Sequence, residues 1–325
     1  MTGTPKLSII VIGYKMPMQL EQTLYTLSAQ YQRGVSVDDY EVVVVENDST
    51  NMTSEGYVHQ LGKNIHYYSR KERSHSPVPA INFAFEQCRG KLIGLMIDGA
   101  HMVTPRVVQY ALTANRAFEK PIVVVPGYHV GGRRQSTDPS YNETVEQEVL
   151  AGLQWRENGY ELFDVAEFSP GNEHSYLHPI MECNCLFAPY KLFKEIGFCD
   201  TRFMLKGGGS VNLHLYRQLA TKSGTTIVVL PGEGSFHQFH GGVSTSSYEQ
   251  KQQELSEHRK QLHEIWGGSF HSVSREPVLL GAVTHWAQRF LELSSHKAQK
   301  RYRRLASLGR QEWEDDDALT KTDAS

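Results

Sequence analysis

The chain has 325 residues, 39% hydrophobic and 21% charged, enough to bury one large core or two domains. Lysine and arginine total 33 against 36 aspartate and glutamate, a formal net charge of -3, so no global basic field points to nucleic acid. Four cysteines (Cys88, Cys183, Cys185 and Cys199) are too sparse for a disulfide framework, and they read as buried free thiols.

The stretch LSIIVIGY (7–14) is an apolar run too short for a signal-peptide core, and nothing in the chain reaches the length of a transmembrane helix, which predicts a cytoplasmic protein. Both this run and YEVVVVEND (40–48) are rich in Val and Ile, the pattern of parallel strands covered on both faces. Between them Leu20, Leu24, Leu27 and Tyr31 recur at helical spacing. A short strand follows at NIHYYSR (64–70), and a helix over 79–88 leads into the strand KLIGLMID (91–98). A helix over 105–117 precedes a strand at PIVVVPGYHV (121–130). The first 130 residues thus alternate strand and helix, as in a doubly wound, nucleotide-binding α/β half.

Residues 131–179 are polar, aromatic and less periodic, and read as a substrate-shaping insertion with one helix near 141–158. IMECNCLFAPYKLFKEIGF (180–198) gives a strand and a short helix, followed by the glycine run of KGGGSVNLHLYRQLA (206–220). TIVVLPGEGSFHQFHGG (226–242) is one more strand opening into a loop. Beyond about residue 247 the pattern turns helical, and residues 313–325 are too polar to fold and read as a disordered tail.

Asp98 closes a buried strand, where open α/β sheets bind ligands, so it either holds a cation or polar ligand or caps a turn. Glu46 and Asp48 end the second strand, as acceptors for a base or ribose or as turn residues in N-D-S-T. Glu182 is a carboxylate in an otherwise apolar strand, either a general base of raised pKa or a structural hydrogen-bonding group. Gly207, Gly208 and Gly209 allow close backbone approach and are expected to leave N–H groups free for a ligand. His101 and the pair His237 and His240 supply imidazoles that either ligate a metal or pack.

Three stretches in this order resemble the family 2 glycosyltransferases: LSIIVIGYKMPMQLEQTLYTLSAQ, YEVVVVENDST and PAINFAFEQCRGKLIGLMIDGAHMVTP. A fourth, MECNCLFAPYKLFKEIGFCDTRFMLKGGG, is similar to that family's acceptor-side stretch. The resemblance spans roughly residues 6–245 and implies the GT-A fold, a Rossmann-like, mostly parallel sheet flanked by helices. It implies transfer of a sugar from a nucleotide-diphosphate sugar to a glycan, lipid or small acceptor, assisted by Mn or Mg. Two positions depart from the family. The second carboxylate of D-x-D is Ala100, followed by His101, and Gly208 and Gly209 stand where the acidic pair supplies a base. Histidine therefore completes the metal set with Asp98 (His101, His237 or His240), and Glu182 is the candidate replacement base. Asn82 is placed to contact the diphosphate, with Arg70 and Arg73 as nearby positive charge or as surface residues.

The resemblance divides the chain into a glycosyltransferase domain (1–247, nucleotide half about 1–130, acceptor half about 131–247), a helical extension (248–312) and the tail. In the extension Val283, Trp286, Phe290 and Leu293 lead into Lys297, Lys300, Arg301, Arg303, Arg304 and Arg310. Such a helix either packs on the domain or makes peripheral contact with an anionic membrane carrying a lipid-linked acceptor. Two other readings stand beside the enzyme: a catalytically degenerate binding or assembly protein, and a nucleotidyltransferase, for which GYKMPMQ lacks the Gly-rich, basic signature after the first strand.

Overall fold

The computed structural model describes residues 3–72, 74–132, 134–181, 183–240 and 248–314. Glu182, Arg73 and residues 315–325 of the expected tail lie outside the described residues. The first half alternates as β1 (Leu7–Gly13), α1 (Pro17–Leu27), β2 (Tyr40–Asn47), α2 (Glu55–Leu61), β3 (Ile65–Arg70), α3 (Val78–Gln87), β4 (Leu92–Met96), β5 (His101–Val103), α4 (Val107–Ala117), β6 (Pro121–Val124) and β7 (Gly127–Val130). Then come α5 (Arg134–Thr137), α6 (Glu143–Ala151), β8 (Ala166–Phe168), β9 (Cys185–Pro189), α7 (Tyr190–Glu195), α8 (Val211–Ala220), β10 (Thr226–Val229), β11 (Ser235–His237), α9 (Tyr248–Trp266), β12 (Val278–Leu279) and α10 (His285–Ser307).

Eight strands form one sheet in the order β12, β10, β6, β9, β4, β1, β2, β3. All its pairings are parallel except those of β9, which runs against β4 and β6. Every residue of β1 is buried, and alternation sends Leu7, Ile9 and Val11 to one face while Ile10 and Ile12 go to the other. The two faces are separate cores, each covered by helices, which is why these strands read as unbroken apolar runs. Strand order reverses at β1, between β2 and β4, and the carboxyl ends of these strands open onto a crevice there.

A second sheet, in the order β5, β11, β7, β8, lies at that same edge. Its origin is a device used three times: a main-sheet strand ends, a short Gly- or Pro-containing kink follows, and a second-sheet strand begins. The pairs are β4 and β5, β6 and β7, and β10 and β11. The run 121–130 is therefore two strands in two sheets, broken at Val125 and Pro126, and the loop expected after β10 contains β11.

The helix expected over 141–158 is shorter, ending at Ala151, and a 3-10 helix follows over Gly159–Val165. The C-terminal segment packs on the rest. β12 pairs with β10, Leu262 of α9 is in the main core, and Ala287 and Phe290 of α10 are in a third apolar cluster with Tyr128, Phe163 and Phe236. Phe290 is thus a core residue, while Leu293 of the same stripe is 40% exposed. Among the described residues no helix is long and apolar enough to cross a membrane.

Candidate functional site

A cavity of about 1340 Å³ opens at the carboxyl edge of β1, β2 and β4 and is walled on the far side by α9. Asp98 stands two residues beyond β4, and its side chain is 28% exposed. Its Oδ2 lies 3.0 Å from His240 Nε2 and 3.6 Å from His237 Nε2. The two imidazole Nε2 atoms are 3.2 Å apart. One carboxylate oxygen and two ring nitrogens, all within 4.8 Å of one another, form the one group of this kind among the described residues.

The second sheet explains how residues so far apart in sequence meet. His237 of β11 is in register with His101 of antiparallel β5 and with His129 of parallel β7. Residues paired across strands share a face, so the three imidazoles form a row, with ring centroids 5.0 Å apart on each side of His237. His101 lines the cavity but is outside the three-residue group, and its Nδ1 is 2.9 Å from Ser235 Oγ. His129 was missed in the sequence because its place depends on the break of 121–130 into two strands.

Electrostatics separate the members of the cluster. Burial alone would raise the Asp98 carboxyl, but His240, by its charge and its hydrogen bond, together with the neighbouring His237, outweighs it and holds the group well below the usual carboxylate range. Burial pushes His237 down. Burial and the neighbouring His237 push His101 down to about 3. For His240 burial acts downward too, yet Asp98 wins and the pKa is raised. Without a metal, Asp98 thus favours the charged form of His240, while burial favours the neutral form of His237.

Glu46 and Asn47 alternate in direction at the end of β2. The Glu46 carboxylate is fully buried and accepts from the Thr53 N–H (3.1 Å) and the Tyr67 hydroxyl (2.8 Å), so it orders the following loop and does not reach the cavity. Asp48 is exposed and also off the cavity. Asn47, not singled out by the sequence, lines the cavity with its buried Oδ1 unpartnered. Asn82, expected at a diphosphate, instead ties α3 to the loop after α7: its Nδ2 donates to the Cys199 carbonyl (2.9 Å) and its Oδ1 accepts from the Cys199 N–H (3.0 Å). Arg70 pairs with Glu72 at 3.2 Å and lies over the Phe83 ring.

The glycine run departs from expectation in a specific way. Gly207 and Gly209 line the cavity, and all three glycines have positive φ (68, 83 and 58°), which favours glycine on steric grounds. Their N–H groups, however, are spent on the carbonyls of His75, Leu205 and Lys206. The run shapes the cavity wall and leaves no N–H free for a ligand. Behind it, Asn212 Nδ2 donates to Asn184 Oδ1 (3.3 Å), both at the cavity. Cations at the cavity are Lys15, whose φ of 57° is an uncommon strained conformation outside glycine, together with Lys206 and Arg259.

No curated protein matches the chain. Among solved structures, S. aureus TarS is 14% identical with a TM-score of 0.49 over 80% of this chain, which spans 43% of TarS. A structure of S. aureus TarS in complex with UDP-GlcNAc gives 15% identity and a TM-score of 0.47 over 80% of this chain and 71% of that one. The mannosyltransferase PcManGT from Pyrobaculum calidifontis, in complex with GDP-Man and Mn2+, is 16% identical with a TM-score of 0.48 over 99% of this chain and 80% of that one. The family model described as Glycosyl transferase family 2 matches residues 8–177, more than half of the chain. With the mostly parallel sheet and its carboxyl-edge crevice, this shows that the chain belongs to glycosyl transferase family 2, with the GT-A fold.

Proposed function

We propose that the protein transfers a sugar from a nucleotide-diphosphate sugar to a glycan, lipid-linked or small-molecule acceptor, with a divalent ion held by Asp98, His237 and His240. The observation that carries this reading is the convergence of those three groups within 4.8 Å at the carboxyl edge of the sheet. The donor set fits such an ion: one hard carboxylate and two imidazoles suit Mn2+ better than Mg2+, with water and phosphate completing the shell. When bound, the ion would neutralise charge developing on the leaving diphosphate.

The chain's own groups do the rest. Asn47 offers its unpartnered amide oxygen to a nucleobase N–H, and Lys15 adds positive charge near the diphosphate at the end of β1. Glu182 is the proposed base for the acceptor hydroxyl. Met181 and Asn184, described residues on either side of it in the sequence, line the cavity, and a carboxylate is a suitable general base for a hydroxyl. The wall contributed by α9 helps exclude water. If the acceptor is lipid-linked, exposed Lys300 and Arg303 on α10 would face the anionic surface.

Thermal-shift and calorimetric titration of UDP, GDP and their sugars, with and without Mn2+, tests the reading. Binding to the native state at about 100 times Kd adds about 2.7 kcal/mol of stability. Metal-dependent stabilisation by at least one nucleoside diphosphate is expected, and its absence for every one would overturn the proposal.

A further inference from the structure

Around the His237–His240 turn lies a second layer of polar groups that the proposed reaction does not use. Gln135 of α5 and Glu146 of α6 are 4% and 0% exposed. The Gln135 Nε2 is 3.0 Å from Glu146 Oε2 and 2.9 Å from the His237 carbonyl. Both neighbours are acceptors, so the amide must present its NH2 group to them, which fixes its orientation. Its Oε1 then faces His237 Nδ1 at 2.8 Å and can only accept. The proton of neutral His237 must sit on Nδ1, leaving the Nε2 lone pair directed at Asp98 and His240.

Glu146 also fixes the backbone between the two histidines. Its two oxygens accept from the Phe239 N–H at 2.8 and 3.0 Å, and Oε2 accepts from the Tyr141 hydroxyl at 3.1 Å. Both elements come from the segment after β7, the part of the chain least regular in sequence.

We infer that Gln135 and Glu146 are positioning residues that select the Nδ1–H tautomer of His237 and hold its Nε2, with that of His240, toward a divalent ion. This rests on the reading of Asp98, His237 and His240 as the ion-holding group. Outer groups that orient a ligating imidazole typically change metal affinity by about 10–100-fold when removed.

The test uses the full chain and Mn2+ alone, read by calorimetry or electron paramagnetic resonance, with ring 15N shifts of His237 recorded in the metal-free protein. Wild type should take up Mn2+ and show Nδ1–H at His237. Gln135→Leu should weaken Mn2+ binding about tenfold or more and release the tautomer. Glu146→Gln removes the carboxylate that holds the Gln135 NH2 group and the Phe239 N–H, and should weaken Mn2+ binding by a similar factor, while the His237 carbonyl keeps Gln135 from inverting. Should Gln135→Leu fail to fold, the His237 tautomer in wild type decides: Nε2–H there would overturn the inference. Equal Mn2+ affinity and an unchanged tautomer in both single variants would overturn the inference while leaving the metal reading in place. No Mn2+ uptake by wild type would overturn both.

Discussion

At the scale of single residues, the cluster makes distinct demands on Asp98, His240 and His101. Asp98→Asn or His240→Ala should abolish the Mn2+-dependent thermal shift, whereas His101→Gln, outside the three-residue group, should retain most of it. Competition with protons gives a second prediction. The His240 pKa is raised above 6.5 by Asp98 despite its burial, and only the neutral ring can ligate. Mn2+ affinity should therefore rise with pH by roughly tenfold per unit while His240 is protonated, and level off only above the ordinary imidazole range. A flat profile between pH 6 and 8, measured by calorimetry, would contradict this ordering. Asp98 was legible in the sequence because a charge at the end of an apolar run is conspicuous. Asn47 was not, because which of Glu46, Asn47 and Asp48 faces the crevice depends on strand register and on where the following loop places Thr53 and Tyr67.

At the scale of elements, the parallel strands were legible because both their faces are buried, while the second sheet was not. Strands of three or four residues carry too little alternation to be read, and β5, β7 and β11 gain their register from partners that are distant in sequence. The contact of the turn before β11 with α4 has a measurable signature. Glu233 is 1% exposed, accepts from the Tyr160 hydroxyl at 2.8 Å and from the Arg106 N–H at 3.3 Å, and is pushed up to about 7, chiefly by burial. A carboxyl whose pKa is higher in the folded than in the unfolded state favours folding most below its unfolded pKa, and that benefit is lost as pH rises through 7. Relative to Glu233→Gln, wild type should lose about 3 kcal/mol between pH 4 and 8. A pH-independent difference in urea unfolding would refute the shift. For α10 the structure favours docking over detachment: Phe290 meets the rings of Tyr128, Phe168 and Phe163 at centroid distances of 4.7, 5.1 and 5.5 Å. Phe290→Ala should cost about 3–5 kcal/mol of stability by the same assay, and a negligible loss would show that the helix is separable.

At the scale of the molecule, composition set the class and the strand-helix rhythm set the parallel sheet, but the place of the site came from the sheet's reversal at β1 and the three kinks that lead away from its carboxyl edge. The direction of β9 adds a consequence of its own. Because it runs against β4 and β6, the residues that precede it, and not those that follow, lie at the ligand edge. The chain therefore departs from that edge at β7 and returns to the same edge before β9, and the intervening stretch contributes Ser169, Gly171 and Asn172 to the cavity. Both of its attachment points are anchored in paired strands. This stretch can therefore change in length without rethreading the main sheet, so long as Gln135 and Glu146 keep their contacts with the histidine turn.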